Sequence, residues 1–386
     1  MNDYDLIVVG LGAMGAATLF HASRQGLRVL GIDRHDPPHE FGSSHAETRL
    51  TRLAVGEGPQ YLPFVARSHE IWRALEAETG RALLHLGGGC IITPHTGTEE
   101  ERRWGDFVTA TARVAEAGGI DFRLLEPDQL RQEHPAILIR DHERAGIEPT
   151  GGVVMAERAV ELQLQLAKVD GAQVRVNETV IAVDPDDDGV TITTSAGSYR
   201  AEQVVLATGP WMQELAALQD ASQLTVTRQV VYWFEVEDVA AFSTDRFPTI
   251  IWTAESIEDY LGVFPIPPGG TPALKVVGEQ FADSTDAASA NRGVSQAEIQ
   301  DFYLRVVAPR LEGVTGNCVR ATACLYTNTP DDHFFIDTDP RSDRVTAMSP
   351  CSGHGFKHST ALGQAVAQQV AAGSSDLDLT PFKRRW

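Results

Sequence analysis

Tyr4-Asp5-Leu6-Ile7-Val8-Val9-Gly10-Leu11-Gly12-Ala13-Met14-Gly15 stands near the start of a 386-residue chain. Leu6-Ile7-Val8-Val9 is an apolar, largely β-branched run stopped by Gly10, which predicts a buried parallel strand over residues 4–9. Small and apolar residues then recur at helical spacing over 13–25 (Ala13, Ala16, Ala17, Leu19, Phe20), and Gly26 ends that helix. Arg28-Val29-Leu30-Gly31-Ile32-Asp33 predicts a second strand, completing a βαβ unit. In such a unit Gly10 permits the tight turn, Gly12 lets a pyrophosphate approach the backbone, and Gly15 lets helix and strand pack closely. The phosphates would meet the positive helix N-terminus at Ala13 and Met14. Asp33, at the end of the second strand, is placed to accept hydrogen bonds from two ribose hydroxyls. Arg34 beside it has three readings: a partner for a 2′-phosphate, a side chain stacked near adenine, or a solvated surface residue.

Outward from this unit, the chain is long enough for two domains, since single cores stop growing near roughly 250–300 residues. Hydrophobic residues make up 42 % and charged residues 22 %, as in an ordinary globular protein. The balance of 32 basic against 53 acidic residues gives a net charge of −21, a surface that repels nucleic acid and anionic membrane and argues against both as partners. There is no apolar run of roughly 18 residues to span a bilayer. Met1-Asn2-Asp3-Tyr4-Asp5 carries no basic leader, so the expected location is cytoplasmic. Cys90, Cys318, Cys324 and Cys351 lack metal-site spacing, and no metal is expected.

Pro37 to Ser44 predicts a loop, 60–79 a helix, and 152–168 a helix opened by Gly-Gly with Ala159, Leu162 and Leu166 facing inward. Four short strands are expected over 174–207, others at 229–235, 273–278 and 344–349, and a last long helix at 355–372. The glycine motif alone does not separate FAD from NAD. Ala207-Thr208-Gly209-Pro210-Trp211, following the strand Val204-Val205-Leu206, reads either as the turn that returns beneath the cofactor in two-dinucleotide-type flavoproteins or as a simple strand end.

Three further segments are more specific. They are Gly42-Ser43-Ser44-His45-Ala46-Glu47-Thr48-Arg49-Leu50-Thr51-Arg52 with Gly56-Glu57-Gly58; Ala323-Cys324-Leu325-Tyr326-Thr327 running into Asp331-Asp332-His333; and Ser352-Gly353-His354-Gly355-Phe356-Lys357. Together they resemble the monomeric sarcosine oxidase and N-methyltryptophan oxidase family, in order and over nearly the whole chain. The stretches near 85–150 and 215–300 match only loosely.

The resemblance implies an α/β protein with a Rossmann-like FAD-binding domain over 1–84, 152–216 and 326–386. An interleaved α+β substrate domain on a mixed or antiparallel sheet would occupy 85–151 and 217–325. It implies a monomer that takes a hydride from a small secondary amino acid and passes the electrons to O2. Cofactor contacts carry over to Ser43, Ser44, Thr48, Arg49, Val180, Gly209, Gly353, Gly355, Phe356 and Lys357. Cys324 matches the position that holds the flavin through a thioether, a bond for which a thiolate is the natural nucleophile. A small buried hydrophobe is the usual fate of such a cysteine.

Arg52 and Lys357 match the pair that grips the substrate carboxylate, with Tyr260 nearby; a surface salt bridge is the ordinary alternative for Arg52. Arg49 and His45 match residues beside the flavin ring. Lys275, on the apolar strand Pro272-Ala273-Leu274-Lys275-Val276-Val277, matches the lysine that activates oxygen, and alternation leaves it few partners; otherwise it guards a sheet edge. A lysine in the first turn of a helix opposes the dipole, which favours a functional reason for Lys357.

Glu279 stands where the family has a histidine; a solvated strand end is its simplest reading, and a carboxylate paired with a cationic substrate is the alternative. Leu53 and Val55 replace the family's His and Tyr, so the amino acid itself is left open. Three other readings compete: a flavin dehydrogenase with a non-oxygen acceptor, a nicotinamide reductase using only the first loop, and a non-catalytic binding protein with a retained fold, which Cys324, Lys275, Arg52 and Lys357 together disfavour.

Overall fold

A computed structural model describes residues 3–95, 107–215, 223–254, 256 and 259–385. Met1, Asn2 and the parts of the expected substrate domain at 96–106 and 217–222 lie outside the described residues. Strand Tyr4–Val9 runs parallel between Val29–Ile32 and Ser198–Leu206. Both its faces are buried, as an apolar strand between two layers requires. Leu6 and Val8 join the core that holds Leu19, Phe20 and Leu362. Ile7 and Val9 join the opposite one with Leu30, Val204 and Val345. Among the described residues this sheet has eight strands, in the order Val180–Asp186, Gly189–Thr194, Ser198–Leu206, Tyr4–Val9, Val29–Ile32, Gln173–Arg175, with Ser342–Ser349 and Phe335–Asp339 branching from Ser198–Leu206. Ser198–Leu206 makes the branch possible: its first half pairs antiparallel with Gly189–Thr194 and its second half parallel with Ser342–Ser349.

Helix Ala13–Arg24 packs against helices Ser359–Ala372 and Ala156–Val169 on this sheet. Gly10 adopts a φ of +86°, and a Cβ there would lie 2.6 Å from the Ala207 carbonyl oxygen. Gly10→Ala should therefore cost about 2 kcal/mol or more, from left-handed strain plus displaced backbone. A lowered Tm in a thermal melt checks this, and an unchanged Tm would mean that the turn relaxes freely.

The second sheet has nine strands among the described residues, ordered Ser284–Thr285, Thr225–Val236, Leu274–Val277, Leu261–Phe264, Thr249–Trp252, Gly89–Pro94, Glu143–Glu148, Arg123–Leu125, with Val314–Asn328 also paired to Thr225–Val236. One pair, Thr249–Trp252 with Gly89–Pro94, is parallel and the rest antiparallel. Its core gathers Tyr232, Phe234, Trp252, Val263, Val276 and Phe302. A three-stranded antiparallel sheet, Thr48–Thr51, Gly152–Met155, Leu84–His85, accompanies the two. Gly152–Met155 departs from expectation: it is a strand, and the helix begins only at Ala156. Val153 and Val154 are β-branched, and pairing with Thr48–Thr51 outweighs the helical spacing that follows. Leu166 is only partly buried. No helix among the described residues is long and apolar enough to cross a membrane.

Candidate active site

A cavity of about 930 Å³ runs from the glycine loop to the inner face of the second sheet. At one end, Gly10, Gly12, Ala13, Met14, Asp33 and Arg34 line it, with Val180 and Gly209 on the same wall. Gly15 lies beneath the loop, off the cavity, where a Cβ would fall 1.7 Å from the Gly10 carbonyl oxygen. Helix Ala13–Arg24 begins at Gly12 with no acidic residue in its first turn, leaving its positive end open to an anion. Ser44 Oγ accepts the Ala13 N–H at 3.0 Å. Asp33 accepts the amides of Leu11 at 2.7 Å and His35 at 2.8 Å. Arg34 donates to Glu214 at 2.8 Å and lies over the Trp211 ring at 5.2 Å, so its guanidinium is engaged by protein.

At the other end, strand alternation decides which side chains face the cavity. On Leu274–Val277 and its continuation, Lys275, Val277 and Glu279 line the cavity, while Leu274 and Val276 enter the core behind. On Val314–Asn328, Cys324 and Tyr326 do the same. Lys275 is 3 % exposed and donates to the Ala46 and Thr48 carbonyls at 2.7 and 2.5 Å and to Thr48 Oγ1 at 3.3 Å. The expectation of few partners is thus corrected. Ala46 and Glu47 adopt φ of +73° and +65°, and the loop's carbonyls supply the acceptors. Glu47 braces this loop by accepting from Trp233 Nε1 at 3.1 Å and the Thr271 amide at 2.9 Å. Burial, then the Arg49 charge, hold the Lys275 amine well below the usual lysine range.

Arg49 lines the cavity and donates to the Thr48 and Ser43 carbonyls at 2.8 and 2.7 Å, with Cys324 Sγ at 3.8 Å. Cys324 is 2 % exposed, and its Sγ lies 3.3 Å from His45 Nε2. Burial raises the thiol above its ordinary value, against the pull of Arg49 and Lys275. His45 is fully buried behind Cys324, off the cavity, and burial followed by the Arg49 and Lys275 charges pushes it down to about 3. Thr48 also lies off the cavity, with its oxygens on Lys275.

Gly353, Gly355, Phe356 and Lys357 line the cavity. Phe356–His358 is a 3-10 turn leading into helix Ser359–Ala372, so Lys357 precedes the helix proper. Lys357 donates to the His354 carbonyl at 2.8 Å and lies 3.9 Å from Glu57. Burial, against the Glu57 charge, lowers its amine to about 8. Arg52 does not line the cavity. Its guanidinium pairs with Glu57 at 2.7 Å, donates to the Ala54 carbonyl at 2.6 Å and lies over the Phe107 ring at 5.0 Å. The salt bridge foreseen as the ordinary alternative is therefore present, although buried rather than on the surface. Burial raises the Glu57 carboxyl, but Arg52 and then Lys357 outweigh it and hold Glu57 well below the usual range. Tyr260 lines the cavity as expected.

Glu279 corrects its simplest reading: it lines the cavity and accepts from Tyr326 Oη at 3.1 Å. Sequence assigned no role to Glu57 or Tyr326. Period-2 alternation from Cys324 could have pointed to Tyr326; nothing local pointed to Glu57.

The residues present fit an FAD. The helix end without acid suits a pyrophosphate, and Asp33 suits a ribose. Farther along the wall, the Ser349 hydroxyl and His354 Nδ1 are buried without a hydrogen-bond partner among the described residues, as polar groups awaiting a polar ring edge would be. A Cβ on Gly355 would lie 1.7 Å from the Pro350 carbonyl oxygen, so the backbone itself forms the wall there.

A family model described as FAD dependent oxidoreductase matches residues 5–369. Monomeric sarcosine oxidase from Bacillus sp. (strain NS-129) is 32 % identical, covering 98 % of this chain and 96 % of its own. N-methyl-L-tryptophan oxidase from Escherichia coli (strain K12 / DH10B) is 33 % identical, covering 98 % of each. Among solved structures, NikD, an amino acid oxidase of nikkomycin biosynthesis, superposes with a TM-score of 0.84 at 22 % identity over 100 % of this chain and 98 % of its own. Glycine oxidase from Geobacillus kaustophilus gives 0.77 at 20 % identity, over 98 % of each. With a family model spanning nearly its whole length and full-length relatives above 30 % identity, this chain belongs to the FAD dependent oxidoreductase family.

Proposed function

We propose that the protein is an FAD-dependent oxidase of a secondary amino acid, N-methylated or cyclic, with O2 as acceptor. One observation carries this: Lys275, Arg49, Cys324 and Lys357, from four distant segments, meet on the wall of one cavity that begins at the dinucleotide loop. The sarcosine and N-methyltryptophan oxidase relatives support the substrate class. Bound FAD would supply a hydride acceptor toward the substrate and an electron donor toward oxygen.

The chain's own residues hold the reactants. Lys357 presents a point charge to the substrate carboxylate. Arg52 reaches that carboxylate by exchanging Glu57 for it, which keeps one carboxylate on the guanidinium throughout. The clamp fixes the C–N carbon in one orientation, so entropy lost at binding is not lost again at reaction. Lys275 places a cation where negative charge develops on oxygen. Cys324 tethers the cofactor, with His45 and Arg49 beside the sulfur. The imine product hydrolyses in water to an amine and an aldehyde.

The direct test is an amine panel followed by peroxide release. Secondary amino acids should give peroxide with one equivalent of oxygen consumed. Bleaching without peroxide, relieved by an artificial acceptor, would assign a dehydrogenase instead.

Carboxylate affinity should also depend on pH. Lys357 is cationic below about 8 and loses its charge above it. Binding of α-hydroxyisobutyrate should therefore be strong at pH 6–7 and weaken as pH rises through that value. Lys357→Met should remove that step and weaken binding at pH 7 by about tenfold to a hundredfold. A pH-independent affinity in wild type would exclude Lys357 as the anchor.

A further inference from the structure

Resting on the proposed function, we propose that Glu279 is a substrate-binding residue that recognises the protonated nitrogen of the amino acid, so that the cavity binds its substrate as a zwitterion.

The geometry begins with the strand. Leu274–Val277 directs Lys275 into the cavity, and the same alternation directs Glu279, four residues on and about 13 Å along an extended chain, onto the same wall. Gly278 keeps the intervening backbone close, since a Cβ there would meet the Phe302 ring at 2.7 Å. Tyr326 Oη donates to Glu279 Oε1 at 3.1 Å. This bond orients the carboxyl and leaves Oε2 for another donor.

No cation within ion-pair distance faces Glu279 among the described residues. The charged and titratable groups around it are Tyr326, Glu57, Lys357, Asp332 and Tyr260. Lys357 is the cation among them, and it donates to the His354 carbonyl and lies near Glu57 rather than within ion-pair distance of Glu279. A half-buried carboxyl in a cavity without a cation is costly unless a ligand brings one. Burial accordingly pushes Glu279 up to about 7, with Tyr326 and Lys357 opposing. A free amino acid is the complement of this wall: its carboxylate belongs at Lys357 and its ammonium at Glu279. The same placement disfavours substrates with a second carboxylate near the nitrogen.

Two ligands of one shape test this: α-aminoisobutyrate, which has no α-hydrogen to lose, and its neutral oxygen counterpart α-hydroxyisobutyrate. Binding to the flavin-loaded protein is read by calorimetry or the flavin difference spectrum. In wild type at pH 7.5 the ammonium ligand should bind more tightly than the hydroxy acid. Glu279→Gln retains the Tyr326 acceptor and should weaken α-aminoisobutyrate by about tenfold to a hundredfold, leaving α-hydroxyisobutyrate unchanged or tighter. Glu279→Asp should fall between. Equal loss of both ligands would indicate a purely structural role, and no loss of either would also overturn the inference. Wild type that binds neither, and oxidises no amino acid in the panel, would overturn the proposed function and this inference with it. Oxidation of secondary amino acids with an unaltered ligand preference in Glu279→Gln would overturn the inference alone.

Discussion

Lys275→Met should leave anaerobic bleaching of the bound flavin by a secondary amino acid near the wild-type rate, while slowing the return of the oxidised spectrum in air by about a hundredfold to a thousandfold. The asymmetry follows from position. Lys275 lies on the cavity wall beside Arg49 and Cys324, and its nitrogen is bound by three oxygens of Ala46 and Thr48. Nothing in that arrangement touches the carboxylate anchor at Lys357. A fixed charge in a low-dielectric cavity acts most strongly on charge that develops beside it, and the oxidative half-reaction is the one that makes an anion from neutral oxygen. Removing the amine also takes a donor from three loop oxygens, although the Thr48 amide and Arg49 still reach the two carbonyls, so a modest loss of stability is expected as well. Rapid mixing separates the two effects, because a loosened loop slows both half-reactions. Lys275→Arg should restore part of the oxygen rate. Equal slowing of reduction and reoxidation would remove Lys275 from oxygen chemistry.

The second large effect concerns the sulfur. Wild-type protein precipitated with acid should keep its yellow colour in the pellet, whereas Cys324→Ser should release its flavin to the supernatant entirely. Cys324 has two cations beside it, which favour a thiolate. Burial raises its pKa, but Arg49 and Lys275 favour the thiolate, and His45 Nε2 stands 3.3 Å from the sulfur. A colourless wild-type pellet would rule out the tether. A yellow Cys324→Ser pellet would assign it to another residue, with Cys351 on the same cavity wall the first to examine.

Much of the architecture was legible locally. Leu6 to Val9 are apolar on both faces because the strand lies between two layers, and Gly10 and Gly15 mark turns and contacts that no side chain could enter. Gly152–Met155 was misjudged, because its pairing partner, Thr48–Thr51, lies about a hundred residues away and sends no signal through local spacing.

The site divides in the same way. Lys275 and Glu279 were foreseeable as neighbours on one face, since period two is a property of the strand itself. Their opposite surroundings were not. Lys275 meets carbonyls supplied by a left-handed loop at Ala46 and Glu47, while Glu279 meets Tyr326 and no cation. Arg52 had the right residue type for an anchor, and its guanidinium is paired with Glu57, which lines the cavity in its place.

The amino-acid sequence by itself determined the dinucleotide loop, the alternation of both sheets and the set of residue types available for chemistry. These follow from backbone sterics and side-chain periodicity within a few residues. The packing of distant segments settled which cation faces the cavity, which is neutralised, and which carboxyl is left without a cation. Desolvation and Coulomb energy depend on distances of a few ångströms between segments that the chain separates by hundreds of residues.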